Sequence, residues 1–139
     1  MNRLIAASLF AATCLSTGLA AAADLTIHVD DIKVASGNVL VAIYNAEGTF
    51  LKAPAKTGGA AASTTGSTIV IKDLPEGEYA FAIFHDANSN GKMDKNLIGI
   101  PTEDYAFSNN AAGKMGPPNY ASAKFTLPAA GATTRISMK

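Results

Sequence analysis

The sequence predicts an all-β fold, an antiparallel β-sandwich with one long organised loop. Apolar and polar residues alternate in short runs, most clearly at Leu25, Ile27 and Val29 and again at Tyr79, Phe81 and Ile83. Clusters of Gly, Pro, Asn and Asp separate such runs, at Ser36-Gly37-Asn38 and at Asp73-Leu74-Pro75-Glu76-Gly77. After Ala23 no stretch carries the apolar period of an amphipathic helix, and strands joined by turns without helices point to a sandwich.

Residues 1–23 read as a secretory signal peptide. Met1-Asn2-Arg3 brings a positive charge, Leu4–Ala20 is uncharged, and Ala21-Ala22-Ala23 offers a small-residue cleavage site before Asp24. The run is short for a membrane span, is diluted by Ser and Thr, and has no charged flank on its far side, so no span is expected after cleavage. The chain's one cysteine, Cys14, lies inside this segment. The mature domain, 24–139, therefore has no disulfide and must rest on its core. Without Arg3 the two charge signs nearly balance, with one acid in excess. The lack of a basic patch argues against nucleic acid or an anionic membrane as the main partner. A periplasmic or secreted monomer is expected.

Along the mature chain, Leu25–Val29 is a half-buried strand, continued by Ile32 and Val34 in the opposite phase past a bulge at Asp30-Asp31. Asn38–Asn45 is almost continuously apolar, as a central strand should be. Ala46–Gly66 has the texture of a mobile surface loop, pinned at its start by Phe50 and Leu51. Ser67–Lys72 makes a third strand. In the fourth, Tyr79, Phe81, Ile83 and His85 share one face, and Ala80, Ala82, Phe84 and Asp86 the other. The span from Asp86 to Ala121 is rich in Gly, Asn and Pro and too long to stay structureless unless something organises it. Ser122–Leu127 and Thr133–Met138 close the sandwich.

The organiser is expected at Asp86-Ala87-Asn88-Ser89-Asn90-Gly91-Lys92-Met93-Asp94. Counted from Asp86, oxygen-bearing side chains stand at positions 1, 3, 5 and 9, with Gly91 at position 6. This is the front of a calcium loop: a hard cation needs several oxygens from one short segment, and glycine lets the backbone turn around it. Position 12 is Leu97 rather than Glu, and a strand rather than a helix leads in, so an EF-hand is not expected. Asp86, Asn88, Asn90, Asp94 and the Lys92 carbonyl offer five ligands, and Glu103, after the reversal at Gly99-Ile100-Pro101, is the candidate sixth. Such a set predicts weak calcium binding, with a Kd on the order of 10⁻⁴–10⁻³ M. The competing reading is an Asn/Gly turn whose side chains bond their own backbone, with Glu103 an exposed acid.

Leu74-Pro75-Glu76-Gly77-Glu78-Tyr79 resembles the turn of transthyretin-like and Cna-B-like domains, and so points to an immunoglobulin-like/transthyretin-like sandwich. More of the chain resembles the domain of unknown function 2141 family of secreted bacterial proteins. The pieces are Leu74–Ala80, Phe84–Asp94, Gly99–Glu103, Phe107-Ser108-Asn109-Asn110, Gly116-Pro117-Pro118 and Ala123-Lys124-Phe125. The resemblance implies a small exported β-sandwich and carries no assigned activity.

Other residues have two readings each. His85 is a catalytic base with Asp86, Glu103 or Ser108, or a strand-end histidine that fixes the loop; the second is favoured because no G-x-S-x-G or H-E-x-x-H motif occurs. Zinc is disfavoured, since His28 is the only other histidine and no mature cysteine remains. Tyr105, Phe107 and Tyr120, with His85, line a binding surface or pack the loop onto the sandwich. The leading function is a non-enzymatic exported protein whose calcium-type loop orders a long binding loop, for a protein, glycan or envelope component. The alternatives are a small periplasmic hydrolase using His85, Asp86 and Glu103, and a purely structural envelope protein.

Overall fold

A computed structural model describes residues 21–139. The expected signal segment lies outside the described residues except at its end, where Ala22 and Ala23 open the first strand. The strands are β1 (Ala22–Asp30), β2 (Asn38–Tyr44), β3 (Lys56–Ala61), β4 (Ser67–Pro75), β5 (Gly77–Asp86), β6 (Tyr105–Phe107), β7 (Phe125–Leu127) and β8 (Ala132–Ser137). They form a three-stranded sheet in the order β4-β1-β8 and a second sheet in the order β3-β2-β5-β6, with β7 also on β5. Leu25, Ile27 and Val29 of the first sheet meet Val39, Val41, Ile43, Phe81 and Ile83 of the second in the main core. Cleavage after Ala23 would remove the pairs Ala22↔Pro75 and Ala23↔Leu74 and keep those from Leu25 to Val29.

The sandwich is antiparallel except at one pair: β8 runs parallel to β1, with Leu25 opposite Ala132 and Asp30 opposite Ser137. Asp30 and Asp31 are tied to that neighbour, Asp30 by Arg135 at 2.7 Å and Asp31 by the Ser137 hydroxyl. The expected continuation of β1 through Val34 is therefore absent. Asp31 turns away with φ at +60°, Ile32 is buried and Val34 is exposed.

The stretch 46–66 is also not the loop its composition predicts. It contains a 3-10 turn, Glu47–Thr49, and β3, which pairs with β2 from Asn38↔Ala61 to Ile43↔Lys56. The glycines are what let β3 in: a Cβ on Gly58 would come within 2.5 Å of the Ile71 side chain in the facing sheet. Phe50 is buried as expected, whereas Leu51 is exposed. The turn after β4 is tighter than its residues suggest. β4 runs to Pro75 and β5 starts at Gly77, and the Tyr79 hydroxyl closes the corner by donating to the Pro75 carbonyl at 2.7 Å.

Both faces of β5 are covered. The inner face carries Tyr79, Phe81, Ile83 and His85. The outer face is a shelf of small residues, Ala42, Ala80 and Ala82, over which Phe50, Phe107 and Tyr120 pack as a second core. Phe50 meets Tyr44 and Tyr120 edge-on, at ring separations of 5.3 and 5.6 Å. Burial raises the Tyr44, Tyr79 and Tyr120 phenols above the ordinary 10.0; at Tyr120 the Glu78 charge, a hydrogen bond to Glu78 and the Glu47 charge add to it. The unfolded chain therefore ionises first, and this contribution to stability is whole below about pH 10 and lost above it. Tyr120→Phe should lose less stability than the wild type in urea melts taken between about pH 10 and 11.

The span from Asp86 to Ala121 is organised by pairing and packing. β6 joins the edge of β5 at Ala82–Phe84, and β7 joins the same edge at Gly77–Tyr79. Residues 122 and 123, expected to open a strand, instead belong to a short helix α1 (Tyr120–Ala123), because the Asn119 side chain caps it by accepting from the Ser122 N–H.

Candidate functional site

The loop begins where β5 leaves the sheet. Asn38 pairs with Asp86, which puts the Ser36-Gly37 turn directly against the loop's first residue. His85 is buried beneath it, with Nε2 2.7 Å from the Ser36 carbonyl. A carbonyl only accepts, so Nε2 carries the proton. His85 thus fastens the loop's root to the neighbouring turn and forms no part of an exposed surface.

Asp86 is 2% exposed, and each of its carboxylate oxygens has a partner: Oδ1 accepts from the Asn90 N–H at 3.0 Å and Oδ2 from the Gly91 N–H at 2.8 Å. Gly91 sits at φ +74°, the left-handed conformation that brings its N–H back to Asp86. Asn88 Oδ1 accepts from Asn90 N and Asn90 Oδ1 from Lys92 N, at 3.1 and 2.9 Å. Both carboxamides then aim their Nδ2 at Asp94, at 2.6 and 2.9 Å. The side chains at positions 1, 3, 5 and 9 are thereby linked in one network. Lys92 enters it through its backbone.

Glu103 folds back onto the loop. Its Oε1 accepts from the Ala87 N–H at 3.1 Å and its Oε2 from the Asp94 N–H at 3.0 Å, so one carboxylate spans the loop from its second residue to its ninth. The Thr102 N–H adds a bond to the Asp94 carbonyl at 2.9 Å. Among the described residues no three His, Cys, Asp or Glu side chains gather as a metal-holding group. The network consists of carboxylates and carboxamides; both carboxamide oxygens accept from loop N–H groups and both carboxamide nitrogens face Asp94. Each carboxylate oxygen named accepts one hydrogen bond, and oxygen has further lone pairs, so acceptor capacity remains for a cation.

The aromatic residues take the packing role. Phe107 and Tyr120 are buried in the second core, and Tyr105 is half-buried with its ring 5.8 Å from Phe107. Phe107 and Tyr120 are thus covered, while Tyr105 stays partly exposed.

Sequence reasoning missed Ser108, Asn109 and Asn110 as a clasp. Between β6 and β7 the edge of β5 has a gap, and there the Ser108 hydroxyl accepts from the Phe81 N–H at 3.0 Å and donates to the Ala123 carbonyl at 2.5 Å. Asn109 donates to the Ser122 and Lys124 carbonyls, and Asn110 accepts from the Ser137 N–H. Both sit at positive φ, which asparagine tolerates better than most residues. The available signal was the unbroken polar run after Phe107.

Neither a curated protein nor a solved structure matches the chain. Residues 27–136, which include most of both sheets and the whole loop, match the family described as "Uncharacterized protein conserved in bacteria (DUF2141)". That span is most of the sequence, and the chain belongs to this family.

Proposed function

We propose that this is an exported, non-enzymatic β-sandwich in which the loop from Asp86 to Asp94, completed by Glu103, binds calcium and holds the following hairpin out for binding in the periplasm or outside the cell. The observation that carries the reading is the return of Glu103 to both ends of a loop whose Asp86, Asn88, Asn90 and Asp94 side chains already form one network. Asp86 and Glu103 lie partly or wholly out of water, which favours a cation beside them. The hydrolase alternative finds no such support. The His85 Nε2–H and both Asp86 and Glu103 carboxylates are engaged with backbone groups, and among the described residues no hydroxyl or thiol is bonded to His85.

Titration calorimetry with calcium chloride tests the reading. A single site is expected with a Kd on the order of 10⁻⁴–10⁻³ M, and Glu103→Gln should weaken it roughly tenfold. No heat of binding at millimolar calcium would leave the loop a hydrogen-bonded turn. Unchanged affinity in Glu103→Gln would remove Glu103 from the ligand set.

A further inference from the structure

The hairpin that follows the loop is the element the proposed function holds out for binding, and its tip points to what it binds. Lys95 bridges Pro101, and between them Asn96-Leu97-Ile98-Gly99-Ile100 forms a tight turn. The Asn96 side chain accepts from the Ile98 and Ile100 N–H groups at 3.1 and 3.0 Å, the Gly99 N–H donates to the Asn96 carbonyl and the Asn96 N–H to the Ile100 carbonyl. These bonds hold the N–H groups of Asn96, Ile98, Gly99 and Ile100 within the tip and leave the carbonyls of its apex facing outward. Its side chains do the opposite of what a water-facing turn requires: Leu97 is fully exposed, Ile98 is 80% exposed and Ile100 55%.

We infer that this tip inserts into the interface of an anionic lipid bilayer. An aqueous turn gains nothing from three aliphatic side chains, whereas a turn at the headgroup boundary buries them while its apex carbonyls stay hydrated. The charges around it agree. No acid occurs from Lys95 to Thr102, and Lys92 and Lys95 are exposed and form no ion pair among the described residues. The nearest acids, Asp94 and Glu103, are turned into the loop by hydrogen bonds. Two lysines at the root of an apolar tip meet anionic headgroups while the aliphatic groups pass below them. The near-neutral charge of the whole chain limits this to a local anchor.

The test is co-sedimentation of the protein from the exported fraction with phosphatidylcholine vesicles containing about 30% phosphatidylglycerol. It is run in chelator, so that failure of the calcium site does not decide it. The wild type should sediment with the vesicles, and the double variant Leu97→Asp, Ile98→Asp should partition at least about tenfold less. Lys95→Ala should reduce partition a few-fold and flatten its salt dependence. All variants share one N-terminus, so only the tip differs between them, and their melting temperatures should equal the wild type's because these side chains contact solvent. A wild type that stays in the supernatant overturns the inference and leaves the tip to a protein partner. Equal sedimentation of the double variant overturns it as well.

Discussion

Calcium at about 10 mM should raise the melting temperature by several degrees, roughly 10 °C at most, and Asp86→Ala should abolish most of that rise. The side chains of Asp86, Asn88, Asn90, Asp94 and Glu103 are brought onto one loop only when β5 and the loop are folded, so a cation bound there stabilises the native state alone. With a Kd of about 10⁻⁴ M the gain is roughly 2.7 kcal/mol. Asp86→Ala acts twice. It removes the charge at the first position, and it takes from the Gly91 N–H its partner and from the Asn90 N–H one of its two, costing about 1–2 kcal/mol even without calcium. Melting curves in calcium and in chelator, for both proteins, separate the two effects. Superimposable wild-type curves would falsify the calcium reading while leaving the structural cost of Asp86→Ala intact.

Gly37→Ala should lower stability by about 3 kcal/mol or more, a drop of roughly 10 °C in melting temperature. Gly37 lies at φ +72°, and a Cβ there would stand 1.9 Å from the Asp86 carbonyl oxygen and 2.8 Å from the Ala87 backbone. No side chain can swing aside to relieve this, since every opposing atom is main chain. The start of β2 would have to part from the end of β5, carrying with it the pair Asn38↔Asp86 and the His85 bond to the Ser36 carbonyl. Calcium affinity should fall with it. Gly48→Ala is the matched control, because a Cβ there meets nothing within 4 Å. A Gly37→Ala protein that melts within a degree or two of the Gly48→Ala protein would show that the turn and the loop root are not packed as described.

Residue order alone decided a good deal about this protein. The alternation of Tyr79, Phe81, Ile83 and His85 with Ala80, Ala82, Phe84 and Asp86 assigned both faces of β5, because side-chain direction in a strand is a local property with period 2. The apolar run at Val39–Tyr44 announced a central strand, and the order of oxygens and glycine from Asp86 to Asp94 marked the loop. Tertiary pairing settled the rest. Lys56–Ala61 has the composition of a loop and is a strand because Gly58 and Gly59 allow β3 to approach Ile71 and Leu40, residues distant in the chain. Phe107 and Tyr120 became core rather than surface because Ala42, Ala80 and Ala82 leave a shelf for them on the outer sheet face. The parallel partner of β1, the Ser108 clasp at Phe81 and the return of Glu103 to Ala87 and Asp94 all join residues far apart in sequence. Local periodicity carries no information about which distant backbone group will be left without a partner, and only the folded chain brings that group to the side chain that satisfies it.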